Sequence, residues 1–373
     1  MTGTLLNTRL QTESGGRRWY GHLNGLKGMA CLLVMLGHYV GIYQYAGASF
    51  PSIPLIDTLS RISDSLFDEG YWLYLFFVVS GYLAAQGSIG TPKDLLLKAV
   101  NRFLRLALPV LFSCLLIFLL SRLPGFHAQE TATLFQSPWY QGAYTQLVSL
   151  KDALLSPFAV LLLGDARLNA PYWVLRSMLA ASILIYLLGL VYERLRPAGH
   201  ESAGFSVLML VTVLSCSVDP VITACLAGAA LARSEKGDIH KTPAFALWMI
   251  LLVRAVYLIP LVVRPVLFFS ALVLLIPRVP LLNRIFSSQA FQFLGKISWG
   301  IYSFHWPLTC SVGALCLLGF SGRLGLKAAY GFTFPVVLLA TLLLSLGFYY
   351  SFERFSFFLT RRAAGMLKRL LKF

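Results

Sequence analysis

Hydrophobic segments of about 20 residues recur along the whole chain, and they constrain its fold more than any other feature. A helix of that length crosses the hydrocarbon core of a bilayer, which is about 30 Å thick. The sequence therefore predicts an all-α, polytopic integral membrane protein with about ten transmembrane helices. The predicted spans are approximately residues 28–46, 71–88, 104–121, 171–191, 204–218, 220–233, 243–260, 264–277, 297–318 and 329–350.

The composition agrees with this class of protein. Charged residues make up 12% of the chain and hydrophobic residues 57%, whereas a soluble domain carries about 25% charged residues. The first twenty residues lack the apolar core of a signal peptide, so we expect the first span to be retained as a signal anchor. The segment 153–163 is too short for a confident span and is predicted to be an interfacial or re-entrant helix.

The net charge of +16 does not point to nucleic acid, because the basic residues cluster in alternate loops. With both termini in the cytoplasm, most lysines and arginines lie on the cytoplasmic side, as the positive-inside rule requires. We therefore predict a multi-pass protein of the plasma (inner) membrane. Its basic, amphipathic tail would lie on anionic lipid. A homo-oligomer is compatible with these features.

Lys27 and His38 are eleven residues apart in the first predicted span. On a helix they share one face, about 16 Å apart along the axis. An ionisable residue in the middle of a span indicates a functional site. The alternative for His38 is a hydrogen bond between packed helices, and the alternative for Lys27 is a side chain that reaches the membrane surface.

Arg102 and Arg105 lie one helical turn apart at the entry to the third span. Two arginines at this spacing could hold phosphate groups through charge-assisted hydrogen bonds, or they could only set the topology. Ser80 belongs to a stretch of small residues in the second span, where helices or a ligand can approach closely.

Two further motifs contain polar residues near or inside predicted spans. Trp173 and Arg176 lie at the start of the fourth span. Tryptophan is typical of the membrane–water interface, and Arg176 could contact a polar acceptor. Tyr302 and His305 are three residues apart in the ninth span and share a face.

The sequence lacks the motifs that are typical of several other functional classes. No cluster of His, Cys and carboxylate residues has metal-ligand spacing, so we expect no metal. All six cysteines lie in apolar segments, which indicates small buried side chains rather than disulfides. The predicted spans contain hardly any carboxylates, which a proton-coupled transporter usually needs.

These motifs together resemble the integral-membrane acyltransferases of family 3, which include O-antigen and exopolysaccharide O-acetylases. The resemblance covers essentially the whole chain. It rests on four motifs in the family's order: a basic residue, ten others and a histidine; Phe-Phe-x-x-Ser-Gly; Arg-x-x-Arg; and Ser-aromatic-x-x-Tyr-x-x-His-x-Pro. The matched positions are Lys27 and His38, Phe76, Phe77, Ser80 and Gly81, Arg102 and Arg105, and Ser298, Trp299, Tyr302, His305 and Pro307.

The chain departs from the family pattern at two acidic positions. Asn24 stands where the family usually has Asp, and Met178 stands where the motif that begins at Trp173 usually ends in Glu. A carboxylate that would orient a histidine or an acceptor hydroxyl is therefore missing. Another carboxylate, from the loop at residues 57–69, could replace it.

The resemblance implies a reaction with acetyl-CoA or another acyl-CoA as donor. The donor phosphates would bind Lys27, Arg102 and Arg105 from the cytoplasm, and His38 would act as general base or carry the acyl group. The acceptor would be a hydroxyl of a cell-surface glycan, glycolipid or lipid-linked sugar. It would enter from the outer face, and the expected substrate-binding residues are Ser80, Trp173, Arg176, Tyr302 and His305.

The implied domain organisation is a cytoplasmic segment at residues 1–26, a transmembrane acyltransferase domain at 27–352 and a basic tail at 353–373. Two other functions stay open. The chain could be a transporter or flippase of a lipid-linked sugar, with its arginines on a phosphate. It could also be a non-catalytic scaffold of an envelope-polysaccharide complex.

Overall fold

The computed structural model describes residues 21–46, 50–63, 66–123, 125–195, 201–234 and 260–370, and these ranges contain helices and loops but no strand. The α-helices in chain order are α1 (Gly21–Gln44), α2 (Pro54–Ile62), α3 (Glu69–Ala84), α4 (Pro92–Leu120), α5 (Ala128–Phe135), α6 (Pro138–Gln141), α7 (Leu150–Phe158), α8 (Leu175–Leu195), α9 (Glu201–Ser215), α10 (Pro220–Ser234), α11 (Pro260–Leu275), α12 (Pro280–Phe286), α13 (Gln289–Leu308), α14 (Ala314–Leu324), α15 (Leu326–Phe348) and α16 (Arg354–Leu370). Turns of 3₁₀-helix lie at Ala170–Val174 and Ile276–Arg278, and π-helical turns lie at Ala159–Leu163, Thr309–Gly313 and Tyr349–Glu353.

The all-α membrane class is confirmed in the described part of the chain. Five helical stretches there are long and apolar enough to cross a membrane. A sixth, at Arg264–Arg278 with Pro280–Phe286, is bent by 100° at its break. The five stretches are Gly21–Gln44, Pro92–Leu120, Ala170–Leu195, Gln289–Leu324 and Leu326–Leu370.

The five stretches include the predicted first, third, fourth, ninth and tenth spans. The predicted second, fifth and sixth spans correspond to shorter helices: α3 has 16 residues, and α9 and α10 have 15 each. The predicted seventh span, residues 243–260, lies outside the described residues except for its last position. The total of ten spans and the cytoplasmic location of both termini stay predictions.

Local sequence signals begin several of these helices. Thr91 and Asp94 form a reciprocal capping box at the start of α4, and Pro92 occupies the first turn, where its missing N–H leaves no bond unmade. Asp68 caps α3 by accepting a hydrogen bond from the Tyr71 amide. Asp219 accepts hydrogen bonds from two amides at the start of α10. The polar residues between the apolar segments therefore fix where the helices start.

Helix α1 packs against α13 and α3, and α3 in turn packs against α10. The close approach of α1 and α13 depends on glycine. A Cβ added at Gly28 would lie 2.5 Å from the Gly295 amide nitrogen, and one added at Gly295 would overlap the Asn24 backbone. Small residues let membrane helices approach until their backbones touch. This crossing holds the first third of α1 beside the first third of α13, next to Lys27.

The segment predicted to be interfacial or re-entrant is helical. Helix α7 continues into the π-helical turn at Ala159–Leu163 and packs against α4. Its length of 14 residues, counted from Leu150 to Leu163, is short for a crossing. Its position relative to the bilayer stays a prediction.

Candidate active site

Lys27 and His38 are both on α1, which is continuous from Gly21 to Gln44. A continuous helix places them on one face, about 16 Å apart. Each side chain is half-buried in the bundle. The two ends of this helix face have different neighbours, with an aromatic cluster around His38 and other charged groups around Lys27.

The His38 ring is held by a hydrogen bond within its own helix. Its Nδ1 lies 3.0 Å from the carbonyl oxygen of Val34, one turn earlier. A carbonyl can only accept a hydrogen bond, so Nδ1 carries the hydrogen and Nε2 is the basic nitrogen. The ring centroid lies 4.9 Å from that of His305 and 5.6 Å from that of Trp306. His38 therefore sits where α1 contacts α13.

His305 is completely buried and is held in the same way. Its Nδ1 donates to the carbonyl oxygen of Ile301 at 2.9 Å. Its Nε2 is buried and has no hydrogen-bond partner among the described residues. The structure thus brings together two of the residues that the sequence selected, His38 and His305. The sequence had given no reason to expect that their rings would be neighbours.

A buried polar network fixes the segment of α13 beside His305. The Asn169 side chain donates to the Ser303 carbonyl at 2.8 Å, and the Tyr172 hydroxyl donates to Ser303 Oγ at 2.8 Å. Ser113 of α4 lies 2.5 Å from the same Tyr172 hydroxyl. Tyr302 donates its hydroxyl to the Pro171 carbonyl. Buried hydrogen-bonded networks of this kind favour one arrangement of the helices.

Arg102 joins three helices near the opposite end of the site. Its guanidinium donates to Ser80 Oγ of α3 at 2.6 Å and to Ser182 Oγ of α8 at 3.0 Å. Ser80, which was predicted to bind substrate, therefore contacts Arg102. A guanidinium has five N–H groups in a fixed planar arrangement, so the two serines orient the group and leave donors for an anion.

Arg105 extends in a different direction from Arg102, although the two are one turn apart. It is exposed, and its guanidinium lies over the Phe357 ring of α16, 5.3 Å from the ring centroid. Glu353, in the π-helical turn before α16, interacts electrostatically with both Lys27 and Arg105. Lys27 is also within electrostatic range of Arg102. The three predicted phosphate-binding cations thus form one charged region.

Glu353 is a member of this charged region that the sequence did not indicate. Its Oε2 is buried and has no hydrogen-bond partner among the described residues. In the sequence it belongs to a run of aromatic residues beyond the last predicted span, and only the packing of α16 against α4 brings it near the cations. Ser182, the second partner of Arg102, was missed for the same reason.

Trp173 and Arg176 lie at the start of the helix whose Ser182 contacts Arg102. Trp173 is 53% exposed and belongs to the 3₁₀ turn that also contains Pro171. Arg176 is exposed, and its aliphatic chain lies near Gly164. The two side chains flank the turn that Tyr302 contacts, but neither has a described contact with His38.

Two carboxylates lie beside neighbours of Met178 and His38, the first next to Ser177 and the second next to Gly37. Asp219 accepts a hydrogen bond from the Ser177 hydroxyl at 2.6 Å. Glu69, the first residue of α3 and the last of the segment 57–69 that we expected to supply a carboxylate, packs beside Gly37: a Cβ added at Gly37 would lie 3.0 Å from the Glu69 Cβ. Glu69 is therefore next to the residue that precedes His38.

Asp57 of α2 binds both the end of α1 and the segment just before α2. Asp57 accepts hydrogen bonds from the Tyr43 hydroxyl at 2.6 Å and from the Ser52 hydroxyl at 2.7 Å. These hydrogen bonds, that of Tyr43 first, lower the pKa of the Asp57 carboxyl below its ordinary value.

Across the described ranges, no three His, Cys, Asp or Glu side chains are grouped to hold a metal ion.

One comparison with known proteins gives a match. A family model described as an acyltransferase domain, of the acyltransferase 3 family, matches residues 20–352. This range contains Lys27, His38, Arg102, Arg105 and His305. No curated protein and no solved structure matches the chain.

Proposed function

The chain belongs to acyltransferase family 3, and from this premise we propose that it transfers an acyl group from acyl-CoA to a hydroxyl of a cell-surface glycan or glycolipid. The acyl group is acetyl in the simplest case. The protein is a membrane acyltransferase by family and by its apolar helices. The donor, the acceptor and the direction of transfer belong to the proposal.

The proposal depends on the tautomer of His38 and on its position at the contact between α1 and α13. Its Nδ1–H is bonded to the Val34 carbonyl, so Nε2 is the nitrogen that carries the basic electron pair at the α1–α13 contact. A neutral imidazole of this kind can remove a proton from a hydroxyl or attack a thioester carbonyl. The function requires one of these reactions in the middle of the membrane.

The donor would bind at the charged region formed by Lys27, Arg102 and Arg105. CoA carries several phosphate charges, and arginine and lysine beside low-dielectric protein attract them strongly. About 16 Å separates Lys27 from His38 along α1, and the flexible arm that bears the thioester would cover this distance. The acceptor would approach from the side of Trp173 and Arg176. Ser80, Tyr302 and His305 would support the bound substrates.

With the charged region in the cytoplasm, the acyl group would reach an acceptor on the outer face of the plasma (inner) membrane while CoA stays inside. The basic residues near Lys27 agree with this orientation. The predicted division at residues 26 and 352, the cytoplasmic termini and a homo-oligomeric state are further parts of the proposal. No metal is needed for either histidine reaction.

The test is transfer of labelled acetyl groups from acetyl-CoA to glycans in membrane vesicles that contain the full chain. We expect His38→Asn to lower transfer by about 10²–10⁴-fold, the usual contribution of such a group. Asparagine can still donate to the Val34 carbonyl but lacks the basic nitrogen. His127→Asn is the matched control, because His127 is bonded to Glu130, outside the site. Wild-type transfer by His38→Asn would exclude the proposed role of His38.

Binding of acetyl-CoA to the purified protein separates this proposal from the two alternatives. A flippase or a scaffold has no use for a CoA thioester. Mass analysis of surface glycans adds a second measurement, because an acyl increment should disappear when the protein is removed.

A further inference from the structure

His305 has a buried basic nitrogen that the reaction of His38 alone does not use. Its side chain is fully buried, and its Nε2 has no partner among the described residues. Leaving a buried polar atom without a hydrogen bond costs about 1–3 kcal/mol. Packing alone therefore does not explain why this buried position has a side chain with a polar Nε2 atom.

The His305 ring is oriented as firmly as the His38 ring. Both Nδ1 atoms donate to the carbonyl oxygen four residues earlier, at 2.9 Å from His305 and 3.0 Å from His38. The two residues therefore share one tautomer, with the electron pair on Nε2. Their ring centroids are 4.9 Å apart. A group that reaches the Nε2 of one ring is within a few ångströms of the other ring.

The surroundings of His305 limit the other partners of its Nε2. The Tyr302 hydroxyl is already bonded to the Pro171 carbonyl. The nearby Ser303 and Thr309 side chains also have partners: Ser303 Oγ is bonded to Tyr172, and Thr309 Oγ donates to the His305 carbonyl. A hydroxyl or amide of a substrate is thus the kind of group that would complete the site.

We propose that the two histidines divide the reaction, with His38 as the nucleophile that carries the acyl group and His305 as the base that activates the acceptor hydroxyl. This inference rests on the proposed function and deepens it. It assigns the two steps of a covalent route to two imidazole rings that have the same tautomer. It also gives the buried Nε2 of His305 a hydrogen-bond partner on the substrate.

In the first step, His38 Nε2 attacks the thioester carbonyl and the C–S bond breaks. The electron pair leaves with CoA as a thiolate, and His38 becomes an acyl-imidazolium that keeps its Nδ1–H on Val34. The protein side of this step needs no proton transfer. The donor thioester and one imidazole are the only reacting groups.

In the second step, the acceptor oxygen attacks the acyl carbon while His305 Nε2 removes the hydroxyl proton. The new C–O bond forms, the C–N bond to His38 breaks, and its electron pair returns to His38 Nε2. The proton on His305 then passes to solvent and neutralises the thiolate formed in the first step. The sum is acyl-CoA plus alcohol giving ester plus CoA thiol.

In the two-step route the donor and the acceptor bind one after the other. The donor can leave before the acceptor arrives, so the two large substrates never have to occupy the buried region together. The neighbouring Trp306 and Tyr302 are almost fully buried, which keeps water away from the acylated histidine.

The experiment uses the purified full-length protein in lipid nanodiscs and acetyl-CoA labelled in the acetyl group. The variants are His305→Asn, His305→Gln, His38→Asn and the control His127→Asn. Asparagine at 305 can still donate to the Ile301 carbonyl but lacks the second nitrogen. The labelled chain is then discharged either with glycerol, a simple alcohol, or with hydroxylamine, which is nucleophilic without a base.

We expect the wild type, His127→Asn and His305→Asn to become labelled, and His38→Asn to stay unlabelled. Hydroxylamine should discharge His305→Asn at the wild-type rate. Glycerol should discharge it about 10²–10⁴-fold more slowly, the loss expected for a missing general base. The ratio of the two rates is internal to each variant, so it does not depend on the folded fraction. His305→Gln should show the same ratio if His305→Asn folds poorly.

Discharge of His305→Asn by glycerol at the wild-type rate would overturn the inference and leave the proposed function standing. Acetyl transfer to membrane glycans without any labelled wild-type chain would do the same, because transfer would then be direct. Unchanged transfer by His38→Asn would instead remove the proposed function itself. The failures of the two proposals are therefore distinguishable.

Discussion

The two ends of the candidate site are built differently. At the α1–α13 contact around His38, the His38 and His305 rings are each fixed by a backbone carbonyl and lie beside the Trp306 ring. At the charged end, Arg102 is held by two serine hydroxyls, and Arg105 is exposed over an aromatic ring. The first region is rigid, and the second consists of long, adaptable side chains.

The difference indicates how one site can serve two purposes. A reacting group must be held close to one geometry, because small displacements lower the rate strongly. A group that attracts phosphates needs charge and reach more than a fixed position. Changes at the rigid end should therefore damage folding or turnover. Changes at the charged end should instead weaken donor binding, and more strongly for an oriented cation than for an exposed one.

The largest effect should follow from a side chain at the glycine crossing beside Lys27, because this crossing sets the distance between the two helices that carry His38 and His305. In Gly295→Ala, the added Cβ would overlap the Asn24 backbone, so α1 and α13 must move apart. We expect a loss of about 1–3 kcal/mol in stability from this overpacking, seen as a lower melting temperature in detergent, and a lower transfer rate. Gly319→Ala is the control, because its Cβ would meet nothing within 4 Å. Equal melting temperatures for the two variants would show that the crossing is not rigid.

Arg102→Gln should have the next largest effect. The change removes a charge that the two serines orient, and hydrogen bonds to charged groups contribute about 1.5–3 kcal/mol. We expect the dissociation constant of acetyl-CoA to rise by about 10- to 100-fold, with little change in the rate at saturating donor. Arg122→Gln, beyond the other end of α4, is the matched control. A lower turnover rate with unchanged donor affinity would mean that Arg102 acts on the reaction itself or on the packing.

Arg105→Gln should have the smallest effect. An exposed charge contributes about 0.2–1 kcal/mol, so donor affinity should fall by less than about 5-fold and the difference should shrink at high salt. Arg362→Gln is the control, because Arg362 also lies over a phenylalanine ring, that of Phe358. A loss as large as that in Arg102→Gln, persisting in high salt, would place Arg105 in direct contact with the donor.

Much of the helical architecture could be predicted from the sequence, since span length and hydropathy follow from the bilayer thickness. The predicted spans at α1, α4, α8, α13 and α15 correspond to stretches long enough to cross. Helices α3, α9 and α10 have only 15 or 16 residues. Counting apolar segments therefore could not establish the number of complete crossings, because length alone does not distinguish a short span from a partial one.

Several residues of the candidate site could be predicted from the sequence, but the contacts between them could not. The motifs selected His38, Arg102 and His305, because histidine and arginine are costly in apolar segments. They did not select Ser182 or Glu353. Serine is common in helices, and the glutamate follows the last span, so neither is unusual where it occurs. Their roles near the cations arise from helices that are distant in the chain.

The sequence by itself determined that this chain enters the membrane, which family it belongs to, and which few ionisable residues lie inside apolar helices. These properties depend on composition and spacing along one chain segment at a time. Only the tertiary structure decided that the His38 and His305 rings are neighbours, that Arg102 is held by Ser80 and Ser182, and that Glu353 lies within electrostatic range of Lys27 and Arg105. The physical reason is that these contacts depend on how closely the helices pack, and the fit of their facing surfaces sets that distance.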